Sequence, residues 1–257
     1  MCSKSNMNNI DKWQGSRGFL QSISNPTFFI RNSIMEKKLP LTGDNALDIG
    51  CGLGLYTVEL IKRGFLVDAI DVSKHAVEVT RAKIPVHLKN NANISVCPVE
   101  NFEEKKRYDF IICSEVLEHI ENDETAIAKI STLLNPGKNL LISVPFDPKL
   151  WSNVDVYSNH YRRYSKESLR SMLENNGLEI KEEFCYGFPL LRLWWSLKAR
   201  KFQKRKYSSK GYTKNKRGIT KLLVSIGNHF LRLTDMFCFT TNFGVGLIVL
   251  AQKKENI

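Results

Sequence analysis

The amino-acid sequence predicts an α/β fold with a mostly parallel sheet, and two observations support this prediction. Between residues 45 and 184, short apolar runs alternate with stretches of helical periodicity, as in βαβ units. The first run, Ala46–Ile49, breaks into a turn containing Gly50, Gly52 and Gly54 before a helical pattern resumes. A helix that begins at such a turn offers unpaired backbone N–H groups to a polar ligand. The sequence therefore places a ligand site at the carboxyl end of the first strand.

The predicted elements follow in a regular order along the chain. The apolar runs predicted as strands are Ala46–Ile49, Phe65–Asp71, Ile94–Pro98, Tyr108–Cys113, Leu140–Pro145, Leu178–Phe184 and Val245–Ala251. Helical patterns with capping signals are predicted over residues 26–39, 55–63, 73–83, 123–134 and 165–176. We expect a seven-stranded sheet with helices on both faces and one antiparallel strand at its end. The chain divides into an N-terminal segment with a cap helix (1–44), a ligand-binding core (45–184), a helical insertion (185–244) and the last strand with a tail (245–257).

Size and composition limit the possible classes of protein. A chain of 257 residues with 42% hydrophobic content can bury one large core. The six cysteines are scattered, without Cys-x-x-Cys pairs or Cys/His clusters at zinc spacing, so a reduced, metal-free protein is expected. The N-terminus lacks a signal pattern, and no window reaches the roughly 18 apolar residues of a membrane span. We therefore expect a cytoplasmic protein.

The positive charge is concentrated in the last quarter of the sequence. The formal net charge is +12, from 38 Lys and Arg against 26 Asp and Glu. Residues 185–257 hold 15 of the basic and 2 of the acidic residues, a net charge of +13, which leaves −1 for residues 1–184. The segment Lys198–Lys221 alone holds eleven basic residues and no acidic one. This segment is expected to face either an anionic partner or solvent.

The spacing of the glycine turn separates two classes of cofactor. Dinucleotide sites use Gly-x-Gly-x-x-Gly, in which the third glycine allows the helix to pack closely on the strand. Here the third glycine is Gly54, and Leu55 stands at the position that the dinucleotide pattern requires. The spacing therefore counts against a dinucleotide.

Several motifs then follow one another in a characteristic order. Asp48–Gly54 has the pattern acidic-x-Gly-x-Gly-x-Gly, Asp71 ends the second strand, and Ser114–His119 and Pro136-Gly137 come later. In this order the motifs resemble those of the class I S-adenosylmethionine-dependent methyltransferases, particularly the ubiquinone and menaquinone biosynthesis group. The resemblance runs from about residue 46 to residue 179 and recurs in the last strand. It implies a Rossmann-like methyltransferase fold and S-adenosylmethionine as the cofactor.

The resemblance also implies which residues contact the cofactor. Asp48 is expected to help hold the cationic methionyl end, and Asp71 to accept hydrogen bonds from the ribose hydroxyls. Pro98 stands where many relatives have an acidic residue that binds adenine, so backbone atoms near Val99 are expected to bind it, with Glu100 as a substitute. The residues assigned to the cofactor are Asp48, Gly50, Cys51, Gly52, Gly54, Asp71, Val72, Val99, Glu100 and Ser114.

The acceptor is expected near the ends of the fourth and fifth strands, by the same resemblance. Methyl transfer from a sulfonium needs a base only where the acceptor must lose a proton. His160, in a long polar loop, is the first candidate for a base or an acceptor-orienting group, because histidine titrates near neutral pH; a packing role is the alternative. His119 and Tyr161 are the other catalytic candidates. Arg162 and Arg163 either clamp an anionic group of the acceptor or form a solvated pair.

The helical insertion has three possible roles. Its Leu/Trp-rich start, Leu190–Leu197, and the basic segment Lys198–Lys221 fit an interfacial element on an anionic membrane. The same basic residues, with Tyr207 and Tyr212 between them, fit RNA phosphates and bases. The third possibility is a pair of surface helices that pack on the sheet and bind no partner.

The sequence thus predicts an S-adenosylmethionine-dependent methyltransferase that acts on a small-molecule or lipid-linked acceptor. A quinone precursor or a glycan- or polyprenyl-lipid would fit, with peripheral contact at the inner face of an anionic membrane. An RNA methyltransferase and a non-catalytic S-adenosylmethionine-binding regulatory protein are the alternatives. A metal ion is not expected, and nucleic acid is a less favoured partner than lipid.

Overall fold

The computed structural model describes residues 26–103, 105–203 and 242–255. The helices are α1 (Pro26–Lys38), α2 (Leu55–Lys62), α3 (Lys74–Lys83), α4 (Asp123–Leu133), α5 (Asn153–Tyr157), α6 (Lys166–Asn175) and α7 (Leu190–Gln203). The strands are β1 (Asn45–Ile49), β2 (Leu66–Asp71), β3 (Ala92–Val96), β4 (Tyr108–Ser114), β5 (Leu134–Pro145), β6 (Leu178–Tyr186) and β7 (Gly246–Lys253). Short 3₁₀ helices cover Val86–Asn91, Val99–Asn101, Leu117–His119 and Pro148–Leu150.

These strands form one sheet in the order β3-β2-β1-β4-β5-β7-β6. β1 pairs in parallel with β2 and β4, and β4 pairs in parallel with β5. β7 is antiparallel to both β5 and β6. The predicted Rossmann-like, mostly parallel sheet is confirmed, although the antiparallel strand lies between two others and not at the edge. The strand order reverses between β1 and β4, and ligands bind at such a switch point in open α/β sheets.

Alternate residues along the central strands bury opposite faces of the sheet. Leu47 and Ile111 share one core with residues of α4 and α6, such as Ile127 and Leu169. Ala46 and Ile112, one position along, share a second core with residues of α1, α2 and α3: Ile30, Ile34, Met35, Leu60, Ile61 and Val77. The sequence of a strand that is buried on both faces is almost continuously apolar. The prediction of helices on both faces is therefore confirmed.

Several predicted boundaries were wrong. β5 begins at Leu134, not at Leu140, because Leu134 already pairs with Tyr108 and residues 135–138 bulge out before Asn139 pairs with Phe110. The loop 147–164 contains the short helix α5, which begins with a Ser152 cap. β6 continues to Tyr186, two residues beyond its predicted end at Phe184.

Much of the insertion and of the N-terminal segment falls outside the described residues. The polar stretch 1–24 and the basic residues between 204 and 241 belong to these parts of the chain. α1 confirms the predicted cap helix and packs through Ile30, Ile34 and Met35. Within the described ranges, no helix has both the length and the apolar content that are needed to cross a bilayer.

Candidate active site

The turn between β1 and α2 is shaped to receive a ligand. Gly50, Gly52 and Gly54 have φ angles of 70°, 52° and 73°, in the left-handed region that favours glycine. A Cβ on Gly50 would lie 2.3 Å from Val116 Cγ2, whereas a Cβ on Gly52 would meet no atom of the described residues closer than 3.9 Å. The turn is therefore packed against the protein at Gly50 and open at Gly52, where a ligand can approach the backbone.

Asp71 joins the end of β2 to this turn. Its Oδ2 accepts a hydrogen bond from the Gly52 N–H at 2.8 Å, and its Oδ1 accepts one from the Ser73 N–H at 2.8 Å. Val72, which is half-buried, lies between Asp71 and Ser73 in the chain. The carboxylate thus lies beside the open part of the glycine turn, where the predicted ribose contact requires it.

Asp48 lies under the turn and is 1% exposed. Its Oδ2 accepts a hydrogen bond from Thr57 Oγ1 at 2.5 Å. Burial raises the pKa of Asp48 to about 7, the Thr57 hydrogen bond opposes this rise, and the charge of Asp71 adds to it. A nearby cation favours the ionised form of such a carboxyl group. The predicted contribution of Asp48 to binding a cationic methionyl group is therefore electrostatic, from a buried position.

The other residues assigned to the cofactor occupy different environments. Cys51 is buried, which raises the pKa of its thiol, and its N–H donates to Ile70 O at 3.0 Å. Val99 packs its side chain into the core, while Glu100 is exposed beside it. Ser114 Oγ lies 2.9 Å from Ser143 Oγ, so its side chain faces β5. The contacts of these four residues with the cofactor stay a prediction.

A polar cluster covers the carboxyl ends of β4 and β5. Glu115 follows β4 with φ of 56°, an uncommon value for a residue with a side chain. Its N–H donates to Ser143 O at 2.9 Å, and its Oε2 lies 2.9 Å from Arg31 Nη1. Arg31 is on α1, so the cap helix contributes a cation to this end of the sheet. Backbone strain of this kind is concentrated at functional sites.

His160 is held by a buried carboxylate. Its ring Nδ1 lies 3.2 Å from Asp155 Oδ1, and its backbone N–H donates to the Asp155 backbone O at 3.0 Å. The rings of His160 and His119 meet edge to face with centroids 4.8 Å apart. Burial and the charge of His160 lower the pKa of His119. The structure therefore brings both predicted histidines together.

Glu118 lies beside the two histidines and is fully buried, and neither of its carboxylate oxygens has a hydrogen-bond partner among the residues that the structure describes. Burial and the charge of Glu115 raise the pKa of Glu118. Ligand atoms of Glu118, His119 and His160 lie within 4.8 Å of one another, close enough for a metal ion to draw them together. The expectation of a metal-free site stays a prediction.

The remaining candidates have partners that the sequence did not predict. Tyr161 is 46% exposed, and its N–H donates to Glu118 O at 2.7 Å. Arg162 pairs with Asp123, and Arg163 Nε lies 2.7 Å from Asp155 Oδ1. Both arginines are therefore paired with buried carboxylates of the protein and do not form a solvated pair. A contact of either arginine with the acceptor stays a prediction.

Sequence reasoning missed two members of this site, Arg31 and Asp155, and did not predict the burial of Glu118. Asp155 had a detectable signal, because Ser152 and Asp155 have the spacing of a capping box and both of its hydrogen bonds are present. Arg31 had no detectable signal, because 84 positions of the chain separate it from its partner Glu115. Glu118 was noted in a motif, but its burial depends on the packing of the loop around Tyr161.

The fold and the glycine turn define a class I methyltransferase, and the comparisons agree. The family model described as a methyltransferase domain matches residues 29–183, more than half of the chain. The chain belongs to this methyltransferase family. It is a methyltransferase that uses S-adenosyl-L-methionine, as the resemblance implied.

Two curated relatives are ubiquinone biosynthesis O-methyltransferases. The one from Rickettsia canadensis is 32% identical over 167 residues, which cover 59% of this chain and 69% of the relative. The one from Coxiella burnetii is 30% identical over 115 residues, covering 44% and 49%. The chain thus spans about half to two thirds of the length of these relatives.

Solved structures share the fold at low identity. A Haloferax volcanii putative methyltransferase, in complex with the Trm112 activator, has a TM-score of 0.64 at 13% identity, with 98% of each chain covered. The N-methyltransferase NodS from Bradyrhizobium japonicum, in complex with S-adenosyl-L-homocysteine, has a TM-score of 0.54 at 22% identity, with 65% of this chain and 83% of NodS covered. These likenesses support the fold alone.

Proposed function

We propose that this methyltransferase transfers a methyl group to a hydroxyl oxygen of a lipid-linked aromatic acceptor, such as a prenylated quinone precursor. The observation that carries the proposal is the pairing of His160 Nδ1 with the buried Asp155 carboxylate. A histidine held in this way is suited to accept a proton from an acidic hydroxyl group. The names of the curated relatives agree with an oxygen acceptor from quinone biosynthesis.

The proposed reaction needs one proton acceptor and a water-poor site. Bound S-adenosylmethionine supplies a methyl group on a positively charged sulfur. With the acceptor taking this methyl group and S-adenosylhomocysteine left behind, Nε2 of His160 would accept the hydroxyl proton. Arg31 of α1 pairs with Glu115 just beyond β4, so α1 is the element proposed to limit the access of water there. Orientation of the two substrates contributes about 7–11 kcal/mol to such a reaction.

An exposed apolar surface beside His160 supports a lipid-linked acceptor. Leu193 and Leu197 on α7 are 59% and 50% exposed, and Val156 and Tyr157 on α5 are 58% and 49% exposed. α5 and α7 pack against each other, and α5 leads directly into the His160 segment. The basic segment Lys198–Lys221 begins within α7. Apolar side chains next to a basic segment match the surface of an anionic bilayer.

The test is methyl transfer from labelled S-adenosylmethionine to defined acceptors. We expect a polyprenylated catechol in phosphatidylglycerol vesicles to be methylated at least about tenfold faster than the same catechol without the chain. A polyprenyl-linked glycan and total RNA are the comparison acceptors. Labelling of RNA alone would support the RNA alternative, and labelling of the glycan lipid alone would overturn the aromatic acceptor.

A further inference from the structure

Asp155 has an unusually complete set of partners for a residue in a connecting segment. Its Oδ2 accepts hydrogen bonds from the Ser152 N–H at 2.8 Å and from the Ser152 hydroxyl at 3.1 Å. Its Oδ1 accepts one from Arg163 Nε at 2.7 Å and lies 3.2 Å from His160 Nδ1. The side chain is 0% exposed. The carboxylate is therefore fixed from three sides, and His160 is the partner at the surface of the cluster.

Arg163 connects this carboxylate to α7. Its Nη1 donates to Phe146 O at 3.1 Å, just past the end of β5. Its guanidinium carbon lies 4.9 Å from the centroid of the Trp195 ring, within the range of a cation–π contact. The Arg163 side chain is 2% exposed. Although burial opposes ionisation, the His160 hydrogen bond and the charge of Arg163 lower the pKa of Asp155.

This arrangement determines which nitrogen of His160 carries the proton. A carboxylate only accepts hydrogen bonds, so the His160 nitrogen beside Asp155 is the protonated one. In the neutral imidazole, the form that can accept a proton, Nε2 then carries the lone pair. Such a partner fixes both the tautomer and the orientation of an imidazole ring.

We propose that Asp155 is the positioning residue of His160, and that Arg163 and the Trp195 ring of α7 hold Asp155 in place. The proposal rests on the proposed function only in treating His160 as the base. It gives α7 a role in the reaction beyond contact with lipid: the helix that carries the exposed apolar surface also packs on the cation that holds the carboxylate. A displacement of about 1 Å at a reacting group costs roughly 10²-fold in rate.

The first measurement is independent of the acceptor. In full-length protein with ¹⁵N-labelled histidine, we expect the His160 signals to report a proton on Nδ1 in the wild type, with His160→Ala used for assignment. In Asp155→Asn the proton should shift to Nε2, at least in part, because an amide can donate to Nδ1. Unchanged His160 signals in Asp155→Asn would overturn the proposal whether or not His160 is the base.

The second measurement is methylation of the polyprenylated catechol in vesicles. We expect Asp155→Asn and Arg163→Lys to lower kcat about 10–100-fold, while KM for the catechol and the affinity for S-adenosylhomocysteine change less than threefold. Trp195→Leu should lower kcat about fivefold, and Trp195→Phe, which keeps an aromatic ring, should restore most of it. Arg162→Lys is the matched control, because Arg162 pairs with Asp123 and not with Asp155.

The outcomes separate this proposal from the proposed function. If the catechol is not methylated by the wild type, the proposed function fails and the NMR result still decides the role of Asp155. If Asp155→Asn shifts the His160 tautomer but kcat is unchanged, the positioning role in the reaction is wrong. If Arg162→Lys and Arg163→Lys lower kcat equally, with equal losses of thermal stability, the arginines are structural and the link to α7 is overturned.

Discussion

The cofactor side and the acceptor side of this site are built in different ways. On the cofactor side, the glycine turn and Asp71 belong to one βαβ unit, and backbone groups make most of the shape. On the acceptor side, Arg31, Glu115 and His160 come from distant parts of the chain, and side chains make the site. A site made by local backbone geometry tolerates little change, whereas a site made by side chains can change its acceptor without altering the fold.

The largest effect on turnover is expected on the acceptor side. His160→Ala should lower kcat for the polyprenylated catechol by about 10²–10⁴-fold, the usual contribution of a positioned acid or base. Binding of S-adenosylhomocysteine, measured by calorimetry, should stay within threefold of the wild type, because His160 lies outside the glycine turn. His75→Ala serves as the control, since His75 lies on α3. An unchanged kcat would place the base elsewhere.

A change on the cofactor side, in the glycine turn, should affect cofactor binding alone. Gly50→Ala places a Cβ 2.3 Å from Val116 Cγ2 at a φ of 70°, so we expect calorimetry to show S-adenosylhomocysteine bound about 10²-fold more weakly, or about 2.7 kcal/mol. Gly64→Ala is a matched control: Gly64 has φ of 92°, but a Cβ there meets nothing within 4 Å. Equal binding by both variants would contradict the role of the turn.

The pH dependence of cofactor binding tests the buried charge under the turn. Because the pKa of Asp48 is raised to about 7, its ionised fraction increases as the pH rises from 5.5 to 7. S-adenosylmethionine should therefore bind up to about tenfold more tightly at pH 7 than at pH 5.5. S-adenosylhomocysteine, which lacks the sulfonium charge, should show a smaller change. The difference should disappear in Asp48→Asn, and a difference that persists would exclude Asp48 as its source.

A smaller effect is expected at the apolar surface of α7. The double substitution Leu193→Glu and Leu197→Glu should reduce flotation with phosphatidylglycerol vesicles severalfold, because it removes apolar area and adds negative charge next to anionic lipid. Binding by the wild type should weaken with salt. Leu41→Glu is the control, since Leu41 is 82% exposed in the connection that leads into the amino end of β1. Equal flotation of both variants would contradict the membrane contact.

No effect is expected from chelation. The prediction of a metal-free site means that EDTA, followed by desalting, leaves turnover of the polyprenylated catechol unchanged. Elemental analysis of the protein checks that no ion remains. If EDTA abolishes turnover and a divalent cation restores it, Glu118, His119 and His160 would instead be assigned as metal ligands.

The contrast between the two sides also explains what the sequence could predict. Strand periodicity and the glycine spacing identified the sheet, the turn and Asp71, because these depend on residues close together in the chain. The burial of Glu118 and the pairing of Arg163 with Trp195 depend on how loops and helices pack, and no local pattern encodes this. The bulge in β5 was missed because Pro136-Gly137 reads as a turn, although the chain on both sides of it pairs with β4.

The position of β7 has a consequence for the order of assembly. β7 follows the insertion in the chain, yet it lies between β5 and β6 in the sheet. As the chain leaves the ribosome, β1 to β5 can pair before β7 exists, whereas β6 has to wait for it. Until then β5 has an open edge of the kind that invites aggregation. The cofactor side can therefore form early in synthesis, whereas the β6 edge of the sheet is completed only when the last strand arrives.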